Sequence, residues 1–384
     1  MREMNTELLV AMGHVACKQR RMASSPLSHV WFGDGALTAT DGGIYVVVRL
    51  GEVTPSGYVP AALLRSLGGA SAPVTIDGDT MTMGAQTVRV AQNSWDAHPT
   101  PPPMEGAYII GTIPVQDLIR GLEVVKVAPS DPRQRYSQIL VEAREGEGFR
   151  FVATDGRRVV VDGPYGVATR DGDAPVPISM ARLSDVLLAV GAQGDVTVRH
   201  TLSHVEFATS AITCFVPAPK FPFPQWRTIV PTGTVDTLAV SRKDLQGMLR
   251  GIRPGKNGAT VLLRRDRDTA ILTVRVIGHD ASEGIDLDGP TWDFDGATND
   301  GPALNICVAL DYFKDLIAMH RDEEIVLGIS ELNERRAASG PLVATAKGRQ
   351  HILMPLMWPD GVAPLPEEVT PLPEGSRHNA IGKV

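Results

Sequence analysis

The chain has 384 residues, a length that suits two or three domains, and its 43% hydrophobic and 21% charged content excludes wholesale disorder. No run approaches the ~18 consecutive apolar residues of a membrane-spanning helix, and Met1-Arg-Glu-Met-Asn-Thr-Glu7 lacks a signal-peptide pattern. Cys17, Cys214 and Cys307 are few, odd in number and far apart, which argues against a disulfide framework or a cysteine zinc site and for a reducing compartment. The formal charge of −7 speaks against a nucleic-acid partner unless the basic residues are segregated onto one surface.

Six amphipathic helices follow from apolar residues at i, i+3, i+4 and i+7. In chain order they are marked by Leu8/Ala11/Met12/Val15, Leu63/Leu64/Leu67, Val115/Leu118/Ile119/Leu122, Leu183/Val186/Leu187/Val190, Leu245/Met248/Leu249/Ile252 and Phe313/Leu316/Ile317. Pro60 and Pro114 suit first helical positions, and Ser241 with Asp244 resembles a capping box. Between the helices lie β-rich runs. Leu37-Thr-Ala-Thr-Asp-Gly-Gly-Ile-Tyr-Val-Val-Val48 reappears as Phe151-Val-Ala-Thr-Asp-Gly-Arg-Arg-Val-Val-Val161, the shared Ala-Thr-Asp-Gly beginning at Ala39 and Ala153, 114 residues apart. Each copy reads as a hairpin turned at Asp-Gly, and Ile271–Ile277 followed by Gly278-His-Asp-Ala-Ser282 is a fainter third. The expectation is an α+β chain of three repeats, each with two helices packed on antiparallel sheets. A proline-rich connector over 96–106 and a break after Pro231 divide it into 1–106, 107–231 and 232–360, with a disordered tail over 361–384 that repeats Pro-Leu-Pro-Glu.

The six helical windows together carry a net +7, leaving −14 for the rest of the chain. The helical layer is therefore cationic and the strands and loops acidic, although charged helix faces are commonly just solvated.

Four segments resemble one family. Ala153-Thr-Asp-Gly-Arg-Arg158 resembles "ATDGHRL" of the bacterial DNA polymerase III beta subunit, the replicative sliding clamp. Lys220-Phe-Pro-Phe-Pro-Gln-Trp-Arg-Thr-Ile-Val-Pro231 resembles that family's "FPDYRRVLP". His351-Ile-Leu-Met-Pro-Leu356 resembles its closing "YVVMPM", and Ser25–Val30 with Leu37–Asp41 is similar to its opening hairpin. The resemblance implies three clamp domains per chain and a six-domain ring made by a head-to-tail homodimer. That ring would encircle double-stranded DNA without reading sequence and serve as a non-catalytic processivity factor for a polymerase and its clamp loader. It implies a cytoplasmic, nucleoid-associated protein with no cofactor, no metal and no membrane partner.

The DNA-facing candidates are Arg20, Arg21, Arg65, Arg120, Lys126, Arg182, Arg242, Lys243, Arg250, Lys314 and Arg321, with Arg133, Gln134 and Arg135 where the family has a DNA-touching loop. The resemblance also implies a partner-peptide pocket between the middle and last domains. Its wall would be Thr154, Gly156, Arg157, Arg158 and Val159; Pro224, Thr228 and Ile229; and Ile352, Leu353, Met354, Pro355 and Leu356, with Tyr136 and Tyr312 at the rim. Arg157 stands where the family often has His, Thr228 where a second Arg is common, and Leu356-Met357-Trp358 replaces "MRL", so partner preference is expected to differ.

Catalytic constellations are not legible. Gly255-Lys256 lacks the rest of a phosphate loop, and there is no His-Glu-x-x-His or Gly-x-Ser-x-Gly. Asp280, Glu283, Asp286, Asp288, Asp293, Asp295 and Asp300 read as a solvated outer loop. Two rivals stay open: a clamp-like interaction scaffold that does not encircle DNA, and an enzyme using the acidic 280–300 segment with His279.

Overall fold

The computed structural model describes residues 2–16, 25–51, 56–67, 74–77, 79–83, 86–90, 100–128, 136–201, 203–217, 221–231, 236–250, 252, 259–265, 271–280, 285–295, 304–329, 340–346 and 348–356. It divides into two compact units, Met1–Gln225 and Trp226–Val384.

The first unit opens with β1 (Arg2–Met4), α1 (Thr6–Val15), β2 (His29–Gly33), β3 (Ala36–Thr40) and β4 (Tyr45–Arg49). β5 (Gly57–Pro60), α2 (Ala61–Arg65), β6 (Val74–Asp77), β7 (Thr80–Met83) and β8 (Gln86–Arg89) follow. A second run begins with β9 (Tyr108–Pro114), α3 (Val115–Gly121), β10 (Gln138–Arg144), β11 (Gly148–Thr154) and β12 (Arg158–Tyr165). It ends with β13 (Val167–Ala168), β14 (Gly172–Pro177), α4 (Arg182–Val190), β15 (Asp195–His200), β16 (His204–Ala208) and β17 (Ile212–Pro217).

α1 starts where Asn5 Oδ1 accepts the Leu8 N–H at 3.1 Å, supplying one of the partners that the first turn of a helix lacks. Its apolar stripe is fully withdrawn from water, with Leu9, Met12 and Val15 all at 0% exposure. Each such side chain contributes about 1.5–3 kcal/mol of burial. α1 packs against α2 and α4. Gly13 permits the first contact, because a Cβ there would lie 3.1 Å from the Ala61 carbonyl oxygen and from Leu64 Cβ.

β1, β6, β7 and β8 form one antiparallel sheet in the order β1-β6-β7-β8. A nine-stranded sheet in the order β13-β9-β15-β16-β17-β4-β3-β2-β5 joins the two runs. Its joint is β17 against β4, with Ile212 opposite Val48 and Cys214 opposite Val46. β14, β10, β11 and β12 are neighbours in a third sheet, in that order.

The second unit holds β18 (Asp236–Ser241), α5 (Arg242–Leu249), β19 (Ala259–Arg265), β20 (Ile271–Asp280) and β21 (Ile285–Asp295). β22 (Leu304–Ala309), α6 (Leu310–Met319), β23 (Glu324–Ile329), β24 (Leu342–Ala346) and β25 (Arg349–Leu353) complete it. β18 pairs with β23, β23 with β24 and β24 with β25, while β22, β19, β20 and β21 form a second antiparallel sheet. Leu245, Phe313, Leu316 and Ile325, each at 0%, are central to the core between helices and strands.

All six helices expected from apolar periodicity are present, and the architecture is α+β with antiparallel sheets. Three details differ from the sequence reading. Gly278, His279 and Asp280, expected in the turn of the fainter third hairpin, continue β20 as paired strand residues. Pro60 and Pro114 are N-cap residues ending a strand, not first helical residues; their fixed φ of −56° and −53° suits both settings, and ψ alone separates them. The acidic 280–300 segment is not an outer loop throughout. Residues 285–295 form β21, paired with β20 from Ile271 opposite Asp295 to Asp280 opposite Ile285, with a register shift between Arg275 and Ile277. Ile285-Asp-Leu-Asp and Trp292-Asp-Phe-Asp alternate with the period of a strand, a pattern that the charge count obscured. Ser241 caps α5 as expected, its hydroxyl accepting the Asp244 N–H at 3.3 Å.

Candidate DNA-facing cations and partner-peptide residues

The repeated Ala-Thr-Asp-Gly segments fold into one turn twice. In the first, Thr40 Oγ1 donates to the Ile44 carbonyl at 2.6 Å and accepts the Gly42 N–H at 3.0 Å, while Asp41 Oδ1 accepts from Gly43 and Ile44. In the second, Thr154 Oγ1 donates to the Arg158 carbonyl at 2.7 Å and accepts the Gly156 N–H at 3.1 Å, while Asp155 Oδ1 accepts from Arg157 and Arg158. Gly42 and Gly156 take φ of +85° and +84°, which glycine adopts without steric cost. Thr, Asp and Gly are thus each required by the turn, and the turn sets what the strands present.

Around the second turn, Thr154, Arg158 and Val159 are buried, and Arg158 Nε donates to Asp155 Oδ2 at 3.0 Å. Gly156 and Arg157 are exposed. Tyr136 closes on Gly156, its ring carbons 3.2 Å from where a Cβ would stand. Pro224 is half-buried in the first unit. In the second unit, Trp226 is buried with the Arg227 guanidinium 4.6 Å from its ring centre, and the turn it begins exposes Thr228 and Ile229. Ile352 and Leu353 are core residues, Pro355 and Tyr312 are half-buried, and Met354 and Leu356 are exposed at 38% and 41%. The Leu356 N–H donates to the Cys307 carbonyl at 2.8 Å, which fixes where the chain leaves β25. Each unit therefore offers a few exposed groups backed by buried neighbours. Phe221, exposed at 63%, was not singled out although it lies inside the Lys220–Pro231 segment. Its signal was position beside Pro222 and Pro224, a setting in which a ring has few helical or sheet neighbours to cover it.

The cations of the helical layer are of two kinds. Five are engaged. Arg65 Nη1 donates to the Gly13 carbonyl at 2.7 Å, and Arg182 Nη1 to the Val15 carbonyl at 3.1 Å and to Asp41 Oδ2 at 2.6 Å. Arg242 Nε donates to the Asp322 carbonyl at 3.0 Å, and Lys314 donates to the Ile252 carbonyl. Arg120 lies 3.8 Å from the fully buried Asp162 carboxylate and over the Tyr165 ring, whose hydroxyl donates to Asp162 at 2.7 Å. Carbonyls in the last turn of a helix lack intrahelical partners, so the contacts to Gly13 and Val15 finish α1. Lys126, Lys243, Arg250 and Arg321 are exposed. Arg20, Arg21, Arg133, Gln134 and Arg135 lie outside the described residues, as do Trp358 and the 361–384 tail. Counting charge by helix thus overstated what is available to a ligand, because Arg120 and Arg182 each face a carboxylate.

Neither described cysteine is a nucleophile. Burial pushes the Cys214 thiol far above its ordinary range and the Cys307 thiol up to about 12, whereas reactivity needs the thiolate. Among the described residues no three His, Cys, Asp or Glu side chains are grouped to hold a metal, and no helix is long and apolar enough to cross a membrane.

No protein-family model and no curated protein matches the chain. Solved structures do. The DNA polymerase III beta subunit of Thermotoga maritima aligns over 92% of this chain and 97% of its own with a TM-score of 0.75 at 17% identity. That of Pseudomonas aeruginosa aligns over 92% and 98% with a TM-score of 0.70 at 18% identity. The fold is that of the sliding clamps. A Pseudomonas aeruginosa clamp bound to griselimycin is similar to the same degree, with a TM-score of 0.70 at 17% identity over 92% of this chain and 97% of its own.

Proposed function

We propose that this protein is a DNA sliding clamp: a non-catalytic, cytoplasmic ring that encloses duplex DNA and tethers a polymerase, a clamp loader and other partners by short hydrophobic peptide motifs. The observation that carries the reading is the likeness in fold to polymerase III beta subunits across nearly the whole of both chains. The chain is read as clamp domains 1–106, 107–231 and 232–360 followed by a tail.

Ring closure has a specific strand chemistry. β17 and β4, each the third strand after a helix, join edge to edge inside the first unit. β8 and β21 hold the same place in their own runs and are terminal strands of their sheets among the described residues. A head-to-tail dimer would pair β8 of one chain with β21 of the next, covering edges that would otherwise template aggregation, and two such joints close the assembly. Phosphate contact is assigned to the exposed Lys126, Lys243, Arg250 and Arg321, and partner binding to the exposed groups around Gly156, Arg157, Ile229, Met354 and Leu356. Griselimycin occupies a clamp of the same fold, which supports a ligand-accepting site in this one.

The test is topological. Protein loaded on nicked circular DNA should be retained and should run off after linearisation, and its mass in solution should be that of a dimer. Equal retention on both DNA forms, or a monomer at all concentrations, overturns the reading. The engagement of Arg65, Arg182, Arg242 and Lys314 by carbonyl groups favours one second reading, a scaffold of clamp fold that binds partners without enclosing DNA. The linearisation assay separates the two.

A further inference from the structure

Met354 and Leu356 are two large apolar side chains left in water just past the end of β25. They do not sit on a loose end. The Leu356 N–H is held on the Cys307 carbonyl, and Pro355 between them is half-buried. Proline biases the residue before it toward extended backbone, and residues two apart in an extended chain share a face. Residues 357–384 follow in the sequence. Trp358-Pro-Asp-Gly361 has the composition of a tight turn, with Pro at its second position and Gly at its fourth. Val362-Ala-Pro-Leu-Pro366 comes next. Counting outward from a turn whose ends are Trp358 and Gly361, Ala363 comes opposite Leu356 and Leu365 opposite Met354. A proline on each side of Leu365 restricts the backbone there, so ordering this stretch on a surface costs less entropy than ordering a common loop.

We infer that the segment 362–366 of this chain is a built-in competitor for the partner-peptide site, returned by the Pro359-Asp-Gly361 turn so that Leu365 docks on Met354 and Leu356. The inference rests on the reading of these two side chains as partner anchors and adds a regulation to it. Leucine is the fitting occupant because the exposed pair is a thioether and an isobutyl group and offers no charge. A partner motif reaches the pair only when the segment lifts, so its apparent affinity falls by the fraction of chains in which the site is open. A segment tethered this closely acts at an effective concentration of about 1 mM, and a self-affinity as weak as about 0.1 mM then leaves about one site in ten open. The second Pro-Leu-Pro-Glu copy is an internal control. In the same count its Leu372 falls beyond the start of β25, past the exposed pair.

The experiment titrates the full chain with a leucine- and phenylalanine-containing peptide by calorimetry and follows the Met354 methyl resonance by NMR. Leu365→Glu sets a charge against a pair that cannot solvate it, and should raise peptide affinity about tenfold and shift the Met354 methyl. Leu365→Met keeps an apolar side chain and should keep wild-type affinity. Leu372→Glu adds the same charge elsewhere in the tail and should leave the affinity unchanged. Wild-type affinity in Leu365→Glu overturns the inference while the clamp reading stands. An equal gain in Leu365→Glu and Leu372→Glu also overturns it, because the effect then follows the charge of the tail and not a docked leucine. If neither the wild-type chain nor any variant binds the peptide, the partner-site assignment fails. The Met354 methyl then decides whether the segment docks: a shift in Leu365→Glu but not in Leu372→Glu supports docking, and an unmoved resonance in both overturns it.

Discussion

Arg182 Nη1 stands 2.6 Å from Asp41 Oδ2, so a side chain on α4 grips the turn of a hairpin 141 residues earlier. The same nitrogen donates to the Val15 carbonyl at the end of α1. Asp41 is therefore used twice, since its Oδ1 accepts the Gly43 and Ile44 N–H groups that shape the turn. Loss of one charge-assisted hydrogen bond in a partly exposed pair costs about 1–2 kcal/mol. Arg182→Ala should accordingly lower Tm by about 2–6 °C. Asp41→Ala should cost more, because it removes the turn bonds as well. The double variant should fall short of the sum by about 1 kcal/mol, as expected for residues in direct contact. Full additivity in denaturant titrations would show that the two act independently.

Gly42 and Gly156 make a matched pair for separating strain from crowding. Both sit at the same point of the repeated turn, with φ of +85° and +84°. Among the described residues a Cβ at Gly42 would touch only Leu27 Cδ1, at 4.0 Å, whereas at Gly156 it would meet the Tyr136 ring at 3.2 Å. Gly42→Ala should thus cost the left-handed penalty alone, about 1–2 kcal/mol. Gly156→Ala should cost at least that and also displace Tyr136, visible as a changed tyrosine environment in NMR spectra. Identical costs with an unmoved Tyr136 would contradict the contact.

The fold was legible to the extent that burial writes a period into sequence. Leu8, Met12 and Val15, or Leu245, Met248 and Leu249, announce their helices because each must turn one stripe inward. The two Ala-Thr-Asp-Gly segments announced their hairpins because the turn uses each side chain. β21 was missed since its aspartates invited a reading by charge when its alternation carried the information. The candidate site was less legible. Nothing in the sequence distinguishes Arg182, spent on Asp41 and Val15, from the exposed Lys243, because the difference lies in partners far along the chain.

His29 and His200 give the first unit a pH dependence. Burial lowers the pKa of both, with a contact to the Ser25 carbonyl partly offsetting this for His29. In the unfolded chain each returns to about 6.5 and takes up a proton more readily than in the folded protein. Folding is then favoured most above that value, and stability is lost as pH falls through about 6.5 toward the lower folded-state pKa. Between pH 7.5 and 5.5 the denaturant midpoint should drop. In His200→Gln the drop should be smaller, since that variant has no proton to bind at this position and a side chain still able to meet the Tyr108 hydroxyl. A midpoint that rises on acidification over this range would reverse the sign and refute the assignment.

Ile352, Met354 and Leu356 lie within five residues and should respond differently. Ile352 is at 0% exposure, so Ile352→Ala should cost about 2–5 kcal/mol and unfold a large share of the chain at 37 °C. Met354 and Leu356 keep 38% and 41% of their surface in water, and their truncation should change stability by about 0.5 kcal/mol or less. If they serve as exposed anchors for partner motifs, Met354→Ala and Leu356→Ala should each weaken binding of a leucine- and phenylalanine-containing peptide about tenfold, or 1.4 kcal/mol. Arg157→Ala, on an exposed residue of the second turn, should alter preference for acidic residues in the peptide more than affinity for its apolar ones, because a solvated guanidinium contributes mainly charge. Peptide titrations by calorimetry on the intact protein decide this. Wild-type affinity in both Met354 and Leu356 variants, with stability also unchanged, would remove these two side chains from the partner site and leave their exposure without a role.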